Sequence, residues 1–164
     1  MAQYIHKLRA AVRLSMPGQD PLDGEFALAP VSPIGSGPET ILELLNSPHH
    51  VIPLMLGSDD GVLLVNRLNI NWVMAGHGVD SELVGPRTFL VTREETVHVT
   101  LADGAAIDGL IQMELPADKN RVSDFLNAPE EFFALRTRLG IVMVNKTHVR
   151  DIRVTQPSPK PVSI

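Results

Sequence analysis

Four segments in the first half of the chain return in the same order in the second half. Val12-Arg13-Leu14-Ser15-Met16 is answered by Val97-His98-Val99-Thr100-Leu101, and Leu22-Asp23-Gly24-Glu25-Phe26 by Ile107-Asp108-Gly109-Leu110-Ile111. Ile41-Leu42-Glu43-Leu44-Leu45-Asn46-Ser47-Pro48 is matched by Val122-Ser123-Asp124-Phe125-Leu126-Asn127-Ala128-Pro129, and Gly61–Arg67 by Gly140–Lys146. Collinear self-similarity constrains a fold more than any single motif, because each copy must be one supersecondary unit. The length differences between the copies fall in turn-like stretches, where insertions cost little. The pattern points to an internal duplication.

Either copy serves as a check on reading the other. The first segment alternates apolar and polar residues, as a half-buried strand does. The spacing predicts strands near Tyr4–Met16 and Phe89–Leu101, then near Leu22–Ala29 and Ala106–Leu115. Asp103-Gly104 reads as a tight primed hairpin turn, and Pro17–Pro21 does the same task less tightly. A short helix follows, with Pro38 at a plausible first position, Ile41, Leu44 and Leu45 on one face, and Asn46 and Asn127 at the C-terminal cap before Pro48 and Pro129. Three short strands complete each copy: Val51–Leu56, Gly61–Val65 and Ile70–Val73, then Phe132–Arg136, Gly140–Val144 and Val149–Val154.

Five short strands joined in sequence curl readily into a small barrel. The expected fold is therefore mainly β: two tandem SH3-like or Sm-like small barrels, each of five short strands with a short helix inserted after strand 2. The expected boundaries are 1–75 for the first repeat, 76–88 for a linker, 89–154 for the second repeat, and 155–164 for a flexible tail containing Pro157, Pro159 and Pro161. Units of this size lie near the lower limit for independent stability, so the two copies gain by packing together.

The residues that carry this pattern also resemble a known family. Val97–Gly104, Ile107–Leu110, Gly140–Lys146 and Val149 are similar in outline to Sm-like proteins, and Arg121–Asn127 through Asn145–Val149 is similar to an uncharacterised family of small bacterial proteins. The resemblance covers most of the second copy and, more faintly, the first. It implies a small barrel and, through the Sm-like proteins, binding of uridine-rich RNA in rings. The chain departs from that pattern where RNA would bind: the helix-bearing insertion replaces the first RNA loop, and Asn66-Arg67 and Asn145-Lys146 stand in place of the Arg-Gly turn.

Composition narrows the function classes. With no cysteine, the chain has no disulfide, thiolate metal site or cysteine nucleophile. No apolar run approaches a membrane span, and no leader-like segment opens the chain, so the expected location is cytoplasmic with no membrane contact. Net charge is −5, which disfavours non-specific binding to nucleic acid. Phosphate-cradling and nucleophile-elbow motifs do not occur. His49-His50 would point to opposite faces of an extended segment, and the other histidines lack ligand spacing. No catalytic, cofactor or metal residue is expected.

The candidate contact residues are Asn66, Arg67, Asn145 and Lys146, a repeated asparagine plus base that could meet phosphate or a carboxylate, although asparagine also favours left-handed turn positions. Trp72 joins them because the second copy has Asp151 there; its plain role is burial between the copies. The leading expectation is a non-enzymatic protein-interaction or regulatory module within a larger assembly, with a protein partner and a homo-oligomer open. The alternatives are an Sm-like RNA-binding protein, or a sensor with a small-ligand or nucleotide pocket at the junction of the copies.

Overall fold

A computed structural model of the chain describes residues 7–57, 60–86, 93–114 and 121–155. The first two predicted strands of each copy begin and end close to their expected positions where these fall within the described residues; Tyr4–His6, Phe89–Thr92, Leu115 and the tail from 156 onward lie outside them. The strands are β1 (Leu8–Ser15), β2 (Leu22–Leu28), β3 (Val51–Met55), β4 (Val62–Asn66), β5 (Trp72–Ala75), β6 (Arg93–Leu101), β7 (Ala106–Met113), β8 (Phe132–Thr137), β9 (Gly140–Asn145) and β10 (Val149–Val154). Two short helices, α1 (Ile41–Leu45) and α2 (Val122–Leu126), follow β2 and β7.

All ten strands belong to one antiparallel sheet in the order β10-β6-β7-β8-β9-β5-β1-β2-β3-β4. The sheet is not closed: β10 and β4 are its edges. Each half of the chain contributes five adjacent strands in the same order, its fifth strand beside its first, and the halves meet where β5 pairs with β9. The registers agree as well. Leu14 faces Val73 and Val99 faces Ile152, while Val12 faces Gly24 and Val97 faces Gly109. These pairings set the correspondence between the halves used below.

The sheet turns sharply where β2 meets β3 and where β7 meets β8, since only two residue pairs and one residue pair, respectively, remain in register there. Glycine makes the turn sterically feasible. A Cβ on Gly24 would lie 2.7 Å from Leu54 and 2.8 Å from the Met55 carbonyl oxygen, and one on Gly109 would lie 2.7 Å from both Leu135 and the Arg136 carbonyl oxygen. Such approaches are open only to a residue without a side chain.

Two local expectations are corrected. The Asp103-Gly104 loop is not a two-residue primed turn. Gly104 N–H donates to Leu101 O at 2.9 Å and Leu101 N–H to Ala105 O at 2.8 Å, with only Gly104 at positive φ, the pattern of a type I turn closed by a glycine bulge. Helix α1 begins at Ile41 rather than at Pro38, because Thr40 is the N-cap and its hydroxyl accepts from Glu43 N–H at 3.1 Å. Glu39, free of the helix, accepts instead from Ala29 N–H at 3.0 Å.

Burial divides into two clusters, one per half, and each borrows from the other. Ala10, Leu14, Phe26, Leu45, Ile70 and Val73 of the N-terminal half are packed with Phe132 and Met143 from the C-terminal half. In return, Trp72 and Met74 of β5 pack against the cluster built on Val97, Val99, Leu135 and Val144. No helix among the described residues is long and apolar enough to cross a membrane.

Candidate functional site

The junction of the halves gathers most of the candidate residues. Its backbone core is the β5–β9 ladder, with Trp72, Val73 and Met74 opposite Val144, Met143 and Val142. Phe132 and Met143 project from β8 and β9 into the N-terminal core, where they are 1% and 0% exposed. Side chains then fasten the Val144 end of the ladder, where Phe132 lies opposite Asn145. The Asn46 amide donates to Phe132 O at 3.1 Å while its oxygen accepts from Phe132 N–H at 2.8 Å. Asn145 is fully buried; its amide donates to Leu68 O and Ile70 O, both at 3.0 Å, and its oxygen accepts from Thr147 N–H.

Asn145 and Asn66 are not left-handed turn residues. Their φ values are −79° and −66°, and each side chain caps the short 3-10 turn that follows, at Lys146–His148 and Arg67–Asn69. The capping role is common to both halves. The stapling role is made only by Asn145, since Asn66 is exposed and no hydrogen bond engages its amide nitrogen among the described residues.

The two bases are committed to the backbone. Arg67 is buried, donating to Leu45 O at 2.9 Å and His49 O at 2.7 Å, and it pairs with Glu131 of the other half at 3.0 Å. Two carbonyls and a carboxylate thus satisfy a guanidinium that water barely reaches. Lys146, its counterpart, donates to Ala128 O at 2.8 Å, and partial burial lowers its pKa, opposed by the nearby Glu130. Trp72 is half-buried and packs on the C-terminal cluster, so it belongs to the junction.

A cavity of about 330 Å3 lies beside the junction, between α1 and α2. Leu42, Phe125, Phe132 and Phe133 form its apolar lining, and Arg136 and Lys146 stand opposite Glu114 and Glu130 in charge.

At the free ends of the sheet the same contact is left half made. Val51, Val62 and Leu64 occupy the places of Phe132, Ile141 and Met143, and they are 47%, 58% and 67% exposed. At the far end, Leu126, Val149 and Ile152 occupy the places of the fully buried Leu45, Ile70 and Val73, and they are only partly buried. These residues were not among the sequence candidates. A signal for them does exist: Val62-Leu63-Leu64-Val65 and Ile141-Val142-Met143-Val144 are unbroken apolar runs, the pattern of strands covered on both faces. In β9 both faces are covered. In β4 one is bare. Comparison with protein families, with curated proteins and with solved structures found no match to the chain.

Proposed function

We propose that the chain is a non-enzymatic protein-interaction module of a larger assembly, built from two SH3-like or Sm-like five-stranded units of common origin that share one sheet. The observation that carries this reading is the uncharged β4 edge, with Val62 and Leu64 bare on a strand that is apolar from Val62 to Val65. Isolated exposed apolar residues are ordinary, but an open strand edge with a contiguous apolar face invites strand addition unless a protein covers it. Charge is one device that keeps an edge solitary, and β4 has none.

RNA binding has less behind it. The net charge is −5, and of the two repeated bases Arg67 has its guanidinium spent on two carbonyls and Glu131 while Lys146 donates to Ala128 O. The cavity between α1 and α2 favours a small-ligand sensor as the second reading, for which a thermal-shift screen of metabolites is the test; a flat screen removes it.

The leading reading is tested by affinity capture at native expression levels, with wild-type chain beside Leu64→Glu. The expected result is a stoichiometric protein partner, whether another protein or another copy, that the variant loses. Recovery of no partner, or of one indifferent to Leu64→Glu, contradicts it.

A further inference from the structure

We infer that the partner is a second copy of this chain, docked head to tail: the outer face of β3–β4 of one copy seats in the open end of the C-terminal half of the next, repeating the contact that joins the halves within one chain. This rests on the interaction reading above and names its partner.

Three independent features of the free ends fit one another. The first is apolar shape. Phe132, Ile141 and Met143 leave the C-terminal half and close the N-terminal core, taking Leu45, Ile70 and Val73 out of water. Val51, Val62 and Leu64 are the same projection left bare, while Leu126, Val149 and Ile152 are the same receiving surface left half open. Each copy therefore carries one unused projection and one unused socket.

The second feature is the backbone. Leu56 N–H binds Gly61 O and Arg67 N–H binds His50 O, so strand alternation turns the peptide groups of Val62, Leu64 and Asn66 away from β3, toward the open edge. In the C-terminal half the matching Asn145 N–H reaches Asn71 O across the junction at 3.0 Å. On β10, Thr155 N–H binds Thr96 O, and the same alternation turns Ile152 and Val154 outward. Two antiparallel edges remain, with matched groups that are unpaired among the described residues.

The third is the pair of side-chain staples. Asn46 clasps the Phe132 backbone and Asn145 clasps Leu68 and Ile70. Their counterparts, Asn127 and Asn66, are exposed, with no hydrogen bond to either amide nitrogen among the described residues. Docked head to tail, Asn127 would meet the Val51 backbone of the next copy, and Asn66 would meet the carbonyls of Thr147 and Val149.

The contact between chains is weaker than the one within. Asp151 and Arg153 stand where β5 has Trp72 and Met74, and His50 stands where Arg67 finds Glu131, so the aromatic packing and the buried ion pair are not repeated. The association is reversible and concentration-dependent. A two-fold pairing of β4 with β4 would bury the projection but leave the socket and Asn127 unused.

Sedimentation velocity on the intact chain tests this with two single variants, Leu64→Glu in the projection and Ile152→Glu in the socket, both checked for folding by circular dichroism. Wild type is expected to grow beyond monomer mass as concentration rises, as small reversible interfaces do. Each variant alone is expected to stay monomeric, since every copy then lacks the same one of the two surfaces. An equimolar mixture of the two should form a dimer through the one intact projection and the one intact socket, which only a heterologous interface can do. If Ile152→Glu does not fold, Val154→Pro takes its place, since that N–H faces away from β6 and its loss spares the chain's own ladder. A wild type that stays monomeric, a socket variant that associates as wild type does, or a mixture without dimer overturns the inference. If self-association is absent yet Leu64→Glu still abolishes capture of another protein, the interaction reading stands and only the identity of the partner falls.

Discussion

Glycine and arginine show how single positions define this fold. Gly109 and Gly24 permit the sharp turn between neighbouring strands, so Gly109→Ala forces a Cβ against the Arg136 carbonyl and Leu135, and overpacking of this kind costs about 1–3 kcal/mol. A urea unfolding curve should show the loss as a lower midpoint. Arg67 is the second such position. Arg67→Ala orphans the buried Leu45 carbonyl and breaks the tie to Glu131, a loss on the order of 3 kcal/mol, whereas Lys146→Ala, which removes one partly exposed donor, costs less than about 1.5 kcal/mol. Equal stability of both variants with wild type would mean that the bases serve a ligand rather than the fold.

The Asp23 carboxylate has its pKa lowered, first by the Arg13 hydrogen bond, against a smaller desolvation penalty. Its contribution to stability is present above the ordinary aspartate value of 3.8 and disappears as pH falls through the lower folded value. Asp23→Asn is accordingly expected to be slightly destabilising at neutral pH and to converge with wild type in strong acid, as melting curves across pH would record. In the other half Asp108 meets His98 at 2.5 Å in the same cross-strand position.

At the scale of elements, strands and helices were legible because alternation, the helix-stopping prolines and the repeated glycines are local signals. Five strands and one α-helix per half were expected and are found among the described residues. What local signals could not supply was the partner of β5. Nothing in Trp72-Val73-Met74-Ala75 announces β9 as a neighbour, because strand pairing between distant segments depends on three-dimensional closure rather than on periodicity. For the same reason Asn145 read as a turn residue: its cap lies within three residues, whereas its staples reach Leu68 and Ile70. The missed clue was the unbroken apolar run of β4 and β9. Phe132→Ala should reveal the energetic weight of the junction. It opens a cavity in the N-terminal core although residue 132 belongs to the other half, at about 3–5 kcal/mol by the usual cost of deleting a buried phenylalanine. If the halves depend on each other as their shared cores imply, this variant lowers the melting temperature of both halves in one transition; a separate early transition confined to one half would contradict that dependence.

For the molecule as a whole, the two halves complete each other on one side only, which leaves a projection at one end and a socket at the other. The account's central claim is that these ends meet in a second copy by the contact seen inside the chain. Amide hydrogen exchange followed by NMR at rising protein concentration tests it at the atoms concerned. The account predicts that the amides of Val62, Leu64, Ile152 and Val154 exchange fast when dilute and become protected together as concentration rises, while Met143 and Asn145 are protected throughout. Outward amides of β4 and β10 that stay equally fast at every concentration would contradict it.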